Sequence, residues 1–164
     1  MAESKTALMK ATDLLARQEQ SSTSLKRKLL ARKYDEEEVD AAIDKAIDKL
    51  QKYHYLNDEE TCTRQFENLY SAGKLSVRQI YMKLIQRGFD SVLVKKIIPA
   101  DTYEHELNAA VEALVKKFPL QTFDNAKDAW KFKNKMRQHL MTRGFSAEII
   151  AAAAEKFFGM DIDS

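Results

Sequence analysis

The 164-residue sequence has few of the residues that strand-rich folds need at their turns, since it contains four glycines and two prolines. β-Sandwiches and barrels use both residues at many tight turns, so this composition argues against these folds. No apolar run approaches the roughly 20 residues that a membrane-spanning helix requires. Residues 1–10 also lack the hydrophobic stretch of a signal peptide. We therefore expect a cytoplasmic protein with no membrane association.

Reactive and metal-binding side chains are scarce as well. Cys62 is the only cysteine, which excludes an intrachain disulfide. His54, His105 and His139 lie far apart in the sequence, whereas a structural zinc site needs about four converging ligands. The glycine-rich phosphate-binding motifs and the G-x-S-x-G motif of hydrolases are absent. We expect no enzyme activity, no cofactor and no metal site.

What the sequence does contain is an internal repeat in a helix-forming composition, with 45% hydrophobic and 32% charged residues. Three segments align when Tyr34, Phe89 and Phe145 are superposed, at offsets of 55 and 56 residues. The matched columns are Leu25, Ile80 and Met136; Leu29, Leu84 and Leu140; Arg32, Arg87 and Arg143; and Val39, Val94 and Ile150. A nearly constant offset over several columns indicates a true repeat rather than a shared composition.

Each repeat has the same predicted pair of helices. Apolar residues four apart mark the first helix of the pair, which ends at an Arg-Gly-Phe turn where Gly88 and Gly144 can adopt the left-handed conformation. Lys33 replaces this glycine in the first repeat, at a cost of up to ~1 kcal/mol if the same turn forms. The residues that follow are good N-caps for the next helix, namely Asp35, Asp90 and Ser146.

A further helix is predicted before each pair. These helices are expected at about residues 4–17, after Asn57 with Glu60 completing a capping box, and between Asp101 and Pro119. The sequence thus predicts an all-α fold of three tandem three-helix repeats. Because repeats of about 50 residues have thin cores, we expect them to pack in series as an elongated, curved, monomeric array. We place the domains at residues 1–56, 57–100 and 101–164.

Charge is segregated along the chain although the net charge is only +2. The middle helix of each repeat is basic: residues 24–33 contain five basic side chains, residues 74–87 four, and residues 127–143 six with one acid. Residues 35–48, by contrast, carry seven acids and one lysine. Charge runs are usually solvated surface, but three basic helices in a series could also form a stripe that contacts a polyanion or an acidic protein groove.

The candidate contact residues follow from charge and predicted exposure. They are Lys26, Arg27, Lys74, Arg78, Lys127, Lys131 and Lys135. At about 100° per residue, the last three lie opposite the apolar stripe of their helix. Phe132 belongs to that stripe, whereas Trp130 lies on another side of the helix. We expect Trp130 to contact a neighbouring repeat rather than to serve as a ligand platform.

Three-helix units with a short turn before the last helix also resemble helix-turn-helix DNA readers, in which that helix enters the major groove. In the first repeat the last helix is acidic, and phosphate would repel it. A regulator that binds duplex DNA through another repeat is therefore the alternative function.

The ordered set of motifs resembles the bacterial RecX regulators over about residues 7–157. The motifs are the repeated L-x-x-x-L-x-x-[RK]-G-[FY] unit, the stretch Tyr55-Leu56-Asn57-Asp58-Glu59, and Gly73-Lys74 before Val77-Arg78-Gln79-Ile80. The sequence departs from the family at Lys33, at Thr61, where an aromatic residue is usual, and at Leu75-Ser76, which replace Gly-Pro.

This resemblance implies tandem three-helix repeats, no catalysis, and a role as a modulator, usually an inhibitor, of the RecA recombinase. It implies binding in the helical groove of the RecA filament on single-stranded DNA, which would suppress strand exchange, ATP hydrolysis and co-protease activity. The expected partners are the RecA filament and, weakly, single-stranded DNA, with duplex DNA left open. The expected processes are homologous recombination, DNA repair and the SOS response.

Overall fold

The computed structural model describes residues 6–17, 21–52 and 58–160, and every regular element in this part of the chain is an α-helix. The helices are α1 Ala7–Arg17, α2 Ser22–Leu30, α3 Glu36–Lys52, α4 Asp58–Ser71, α5 Val77–Gln86, α6 Ser91–Ile97, α7 Tyr103–Lys117, α8 Ala126–Thr142 and α9 Ala147–Gly159. They form repeat 1 (α1–α3), repeat 2 (α4–α6) and repeat 3 (α7–α9), as predicted. None of these described helices is both long and apolar enough to cross a bilayer.

The predicted turn between the second and third helix occurs in all three repeats. Gly88 and Gly144 have φ values of 92° and 84°, and Lys33 has a φ of 62° at the matched position. Lysine therefore adopts the left-handed conformation that glycine adopts in the other two repeats, at the energetic cost that a Cβ atom imposes there.

The predicted N-caps after these turns are confirmed. The hydroxyl of Ser146 accepts a hydrogen bond from the N–H of Ile149 at 3.3 Å, and the carboxylate of Asp90 accepts one from the N–H of Val92 at 2.8 Å. Asp35 accepts one from the N–H two residues on, at 3.3 Å. The expected cap at Asn57 and the expected start of the first helix near residue 4 lie outside the described residues.

The apolar stripes of the first and last repeats form separate cores. In repeat 1 the buried cluster consists of Ala11, Leu25, Leu29, Val39 and Ile43. In repeat 3 it is larger, with Ala109, Ala110, Val111, Leu114, Met136, Leu140, Phe145, Ile149, Ile150, Ala153 and Phe157. Phe132 packs against this second cluster, as the sequence predicts.

The chain divides into two compact units. Unit 1 contains Met1–Gln65 and Lys83–Ile97, and unit 2 contains Phe66–Met82 and Ile98–Ser164. The divisions therefore fall within α4 and α5, so each unit combines one terminal repeat with part of repeat 2. The three domain boundaries taken from the sequence stay a prediction.

A buried serine links consecutive repeats within each unit. In unit 1, the hydroxyl of Ser21 accepts a hydrogen bond from the N–H of Ser24 at 3.2 Å and donates one to the carbonyl of Arg87 at 2.7 Å. In unit 2, the hydroxyl of Ser76 donates to the carbonyl of Arg143 at 2.5 Å. Each serine thus begins the middle helix of one repeat and satisfies a carbonyl at the end of the middle helix of the next.

Ser76 also forms a reciprocal capping box with Gln79. Its hydroxyl accepts from the N–H of Gln79, and the side chain of Gln79 accepts from the N–H of Ser76, both at 3.1 Å. Ser21 and Ser76 are 1% and 0% exposed. A buried hydroxyl without partners would be destabilising, so the complete bonding of both serines explains why polar residues are tolerated at these positions.

A carboxylate from the following repeat completes each junction. Asp58 accepts hydrogen bonds from the N–H of Ser22 at 3.1 Å and from its hydroxyl at 2.8 Å. Glu106 accepts one from the N–H of Val77 at 2.8 Å. Both acids therefore satisfy N–H groups at the start of a middle helix, where the helix dipole favours negative charge. Burial raises the pKa of Glu106, although the hydrogen bond from Val77 opposes this shift.

Candidate functional site

The basic candidates in repeat 1 differ in their surroundings. Lys26 lies in α2 and forms an ion pair with Asp40 of α3 at 2.5 Å. This hydrogen bond raises the pKa of Lys26 and commits its ammonium group to a carboxylate of the same repeat. Arg27, in contrast, is exposed and has no ion pair with any residue that the structure describes. Of the two candidates Lys26 and Arg27, it is therefore Arg27 whose charge is available to a partner.

The candidates in repeat 2 flank the start of α5. Lys74 lies in the exposed loop before the helix. Arg78 is exposed in the first turn of α5. Its aliphatic carbons cover the turn that follows α8, because a Cβ atom added at Gly144 would lie 2.6 Å from the Cδ atom of Arg78. The glycine thus leaves room for the stem of Arg78, while the exposed side chain keeps its charge in solvent.

The candidates in repeat 3 lie along α8. Lys127, Lys131 and Lys135 are all exposed, which confirms the placement opposite the buried stripe of Met136 and Leu140. Successive lysines are four residues apart, so they repeat about every 6 Å along the helix axis. This spacing forms a row of positive charge on one side of the helix.

The seven candidates are unevenly divided between the two compact units. Lys26 and Arg27 belong to unit 1, and Lys74, Arg78, Lys127, Lys131 and Lys135 belong to unit 2. Within unit 2, the stem of Arg78 contacts the turn at the end of α8, which links the charged start of α5 to repeat 3. Five of the seven candidate cations therefore belong to unit 2.

Several further basic residues of α7 and α8 were not among the contact residues predicted from the sequence. Lys133 and Arg137 are exposed on α8, and the ammonium of Lys133 lies 5.4 Å from the ring centre of Phe158. Lys117 of α7 lies 3.1 Å from Nδ1 of His139. The dense run of lysines in residues 127–137 was the available signal, but helical periodicity favoured only those farthest from the buried stripe.

The exposure of Trp130 corrects one prediction. Its side chain is 66% exposed, so the expectation that it packs against a neighbouring repeat is wrong. Its predicted position away from the stripe of Phe132 is right, and most of its surface is open to solvent there. A large aromatic ring is thus presented to solvent among the lysines of α8.

A cleft of about 660 Å³ lies between α8 and α9. Its lining includes the apolar residues Met141, Phe145, Ala147, Ile150, Ala151, Ala154 and Phe158 and the charged residues Lys133, Arg137 and Glu155. The alanines of α9 leave this cleft open, because their side chains are too short to fill the space between the two helices. The walls of the cleft are mostly apolar, with the three charged side chains among them.

No group of three or more histidines, cysteines or acids in the described chain could hold a metal ion. Cys62 is buried, and its burial, together with the charge of Asp58, raises the pKa of the thiol to about 11. A thiol with such a pKa is a poor nucleophile near neutral pH.

Comparison with known protein families identifies two segments of the chain. Residues 7–45 match the model of the RecX first three-helix domain, and residues 104–154 match that of the RecX third three-helix domain. These segments correspond to repeats 1 and 3. The resemblance predicted from the sequence motifs is therefore confirmed at both of these repeats.

Curated relatives extend the match across the chain. The regulatory protein RecX of Chromobacterium violaceum is 30% identical over 150 residues, covering 91% of this chain and 89% of the relative. That of Caldanaerobacter subterraneus subsp. tengcongensis is 29% identical over 155 residues, covering 92% and 70%. That of Clostridium beijerinckii is 28% identical over 138 residues. The last match spans only 61% of the length of the Clostridium protein.

A solved structure has a similar fold. The crystal structure of RecX from Lactobacillus salivarius matches with a TM-score of 0.66 and 19% sequence identity, covering 92% of this chain and 94% of that one. At this level of identity the likeness concerns the arrangement of helices and not the contacts of individual side chains.

Proposed function

The chain belongs to the RecX family of regulatory proteins, and on this basis we propose that it regulates the RecA recombinase. In this proposal the protein binds the helical groove of the RecA filament on single-stranded DNA and inhibits the filament. It acts in the cytoplasm by occupancy, without a catalytic step. Its processes are homologous recombination, DNA repair and the SOS response.

The observation that carries this proposal is an exposed cation on the middle helix of each repeat. Arg27 lies on α2, Arg78 on α5 and Lys131 on α8, and none of them forms an ion pair with another described residue. Their charges are therefore available to phosphates or to acidic side chains of a partner. A single exposed ion pair contributes at most about 1 kcal/mol, but contacts linked through one chain benefit from a high effective concentration.

The alternative of duplex DNA reading is less well supported by the helices that would have to enter the major groove. α3 begins with Glu36, Glu37 and Glu38, and α9 exposes Glu148 and Glu155. Phosphate would repel both helices. The third helix of repeat 2, α6, has two lysines and no acid, but it is only seven residues long. The cations are concentrated instead on the middle helices, so a groove that contains both protein and single-stranded DNA is the better match.

The test is DNA-dependent ATP hydrolysis by RecA on single-stranded DNA, titrated with the purified protein. We expect hydrolysis to fall as the protein is added to assembled filaments. Because the proposed contacts are ionic, the concentration needed for half-inhibition should rise with salt. Unchanged ATP hydrolysis at saturating protein would contradict the proposal, and salt-insensitive inhibition would show that the cations do not carry the contact.

A further inference from the structure

Trp130 is the single tryptophan of the sequence and is 66% exposed on α8. Tryptophan carries a large apolar ring, and burial of that ring is a main source of energy in cores and interfaces. Other aromatic residues of repeat 3 do pack together, as Phe118 does with Phe132 at 5.5 Å between ring centres. Because Trp130 stays outside this packing, its exposed ring is available to a ligand.

The groups around Trp130 define the chemistry of that ligand. Lys127 and Lys133 lie three residues before and after it, within about 60° around the helix and about 4.5 Å along the axis on either side. Arg137 lies on nearly the same line two turns further along. All three cations are exposed. The ring of Trp130 is therefore flanked by positive charge in both directions along the helix.

The one acid in residues 127–137 is Asp128, and it is hydrogen-bonded to Asn125. Asp128 lies in the first turn of α8, where its N–H donates to the side-chain oxygen of Asn125 at 2.9 Å. Its carboxylate accepts a hydrogen bond from the side-chain nitrogen of Asn125 at 2.8 Å. Asp128 thus serves the N-terminal cap and the helix dipole, and two residues before Trp130 it lies about 160° around the helix from the ring.

We propose that Trp130 is a stacking platform for an unpaired base of single-stranded DNA, with Lys127 and Lys133 contacting the phosphates on either side of that base. Sites for single-stranded nucleic acid combine a positive surface with aromatic side chains on which bases stack. The centres of protein–protein interfaces, by contrast, are depleted of charged residues. This inference rests on the proposed function, since it places the DNA of the filament within reach of repeat 3.

The tryptophan itself reports on the contact, because no other tryptophan contributes to the fluorescence. The experiment titrates the full chain with a thymidine oligonucleotide and with an abasic oligonucleotide of the same length. Both carry the phosphates, but only the first can stack. We expect strong quenching by the thymidine oligonucleotide and little by the abasic one, and equal quenching by the two would overturn the proposal.

Substitutions separate stacking from charge. Trp130→Ala should lower the affinity for a labelled thymidine oligonucleotide by about 5- to 150-fold, as expected for the loss of one stacked base. It should leave the salt dependence unchanged, whereas Lys127→Gln should reduce the slope of log affinity against log salt by about 0.7. Trp130→Tyr should restore much of the affinity, because tyrosine retains an aromatic ring. Circular dichroism of each variant checks the fold.

Several results would reject the stacking site. The first is that Trp130→Ala binds the oligonucleotide as tightly as the wild type, and the second is that the wild-type protein does not bind single-stranded DNA. The third is a change in tryptophan emission when RecA is added without DNA, because this change would assign the ring to a protein contact. Inhibition of RecA by the wild type, together with wild-type DNA affinity of Trp130→Ala, would reject this site but not the proposed function. DNA binding that depends on Trp130, without any effect on RecA, would reject the proposed function but not this site.

Discussion

The junction between repeats predicts an unusually large effect for Gly88→Ala. Gly88 has a φ of 92°, and an added Cβ would lie 2.8 Å from the hydroxyl oxygen of Ser21 and 3.3 Å from the backbone nitrogen of Ser24. A residue with a Cβ in the left-handed region costs about 1–2 kcal/mol. Displacing the Ser21 hydroxyl from the carbonyl of Arg87 leaves a buried group unpaired, which costs about 1–3 kcal/mol more. We therefore expect a loss of about 2–5 kcal/mol.

Three control variants separate the backbone contribution from the steric one. Gly73 also has a positive φ, of 65°, but an added Cβ would meet nothing within 4 Å, so Gly73→Ala should cost only about 1–2 kcal/mol. Gly159 lies at the end of α9 in open space, and Gly159→Ala should be neutral or stabilise by up to about 1 kcal/mol. Lys33→Gly should stabilise repeat 1 by up to about 1 kcal/mol, because it relieves the strain at a φ of 62°.

Urea denaturation followed by circular dichroism measures these differences, and hydrogen exchange locates them in the chain. The expected order of stability is Gly159→Ala, then Gly73→Ala, then Gly88→Ala. If Gly88→Ala lost no more stability than Gly73→Ala, the packing of Ser21 against the following repeat would not contribute to stability, and the account of the junction would be refuted.

Three further predictions concern single side chains. Ser76→Ala removes both the cap of α5 and the donor to the carbonyl of Arg143 after α8, and it should cost about 2–4 kcal/mol in urea denaturation. Ser146→Ala removes only a cap and should cost about 1 kcal/mol. Equal losses would show that the hydrogen bond from Ser76 to the next repeat does not contribute to stability. The pKa of His139 is lowered by burial and by nearby cations that include Lys117, so the unfolded chain binds protons more readily below pH ~6.5. When the pH is lowered through this value, the urea midpoint of the wild type should therefore decrease more than the midpoint of His139→Gln. Parallel pH profiles of the two proteins would refute this prediction. Cys62 should react with a thiol reagent at neutral pH only after denaturation, because its pKa is about 11 and it is buried; rapid reaction of the native protein would contradict its burial.

The sequence is most informative where structure depends on local chemistry. Apolar residues at helical spacing place the helices of all three repeats, because each stripe must be buried. The Arg-Gly-Phe turn predicts the left-handed residue, and its register predicts the same conformation at Lys33, which the structure confirms. The caps at Asp90 and Ser146 follow equally well, since a cap requires only a short polar side chain and the next turn of helix.

Contacts between residues that are distant in the chain were less predictable. Ser21 and Ser76 share the repeat offset of 55 residues, but a cap already accounts for a serine at a helix start, so nothing local indicates the bond to the following repeat. The ion pair of Lys26 with Asp40 likewise depends on how α2 and α3 pack. For Trp130, hydrophobicity suggested a contact with another repeat, and only the packing of α8 shows that its ring is left uncovered.

The central claim is that cations on the middle helices carry the contact with the RecA filament. The most direct measurement compares Arg27→Glu/Lys131→Glu with Lys95→Glu/Lys156→Glu in the RecA ATP hydrolysis assay on single-stranded DNA. Both variants change the net charge equally, and all four side chains are exposed. Arg27, Lys95 and Lys156 lie in the last turn of a helix, so both variants contain a substitution that opposes a helix dipole, and each substitution should cost no more than about 1 kcal/mol. We predict that the first variant inhibits much more weakly than the wild type and that the second inhibits normally. Undiminished inhibition by the first variant, or equal weakening by both, would contradict the claim.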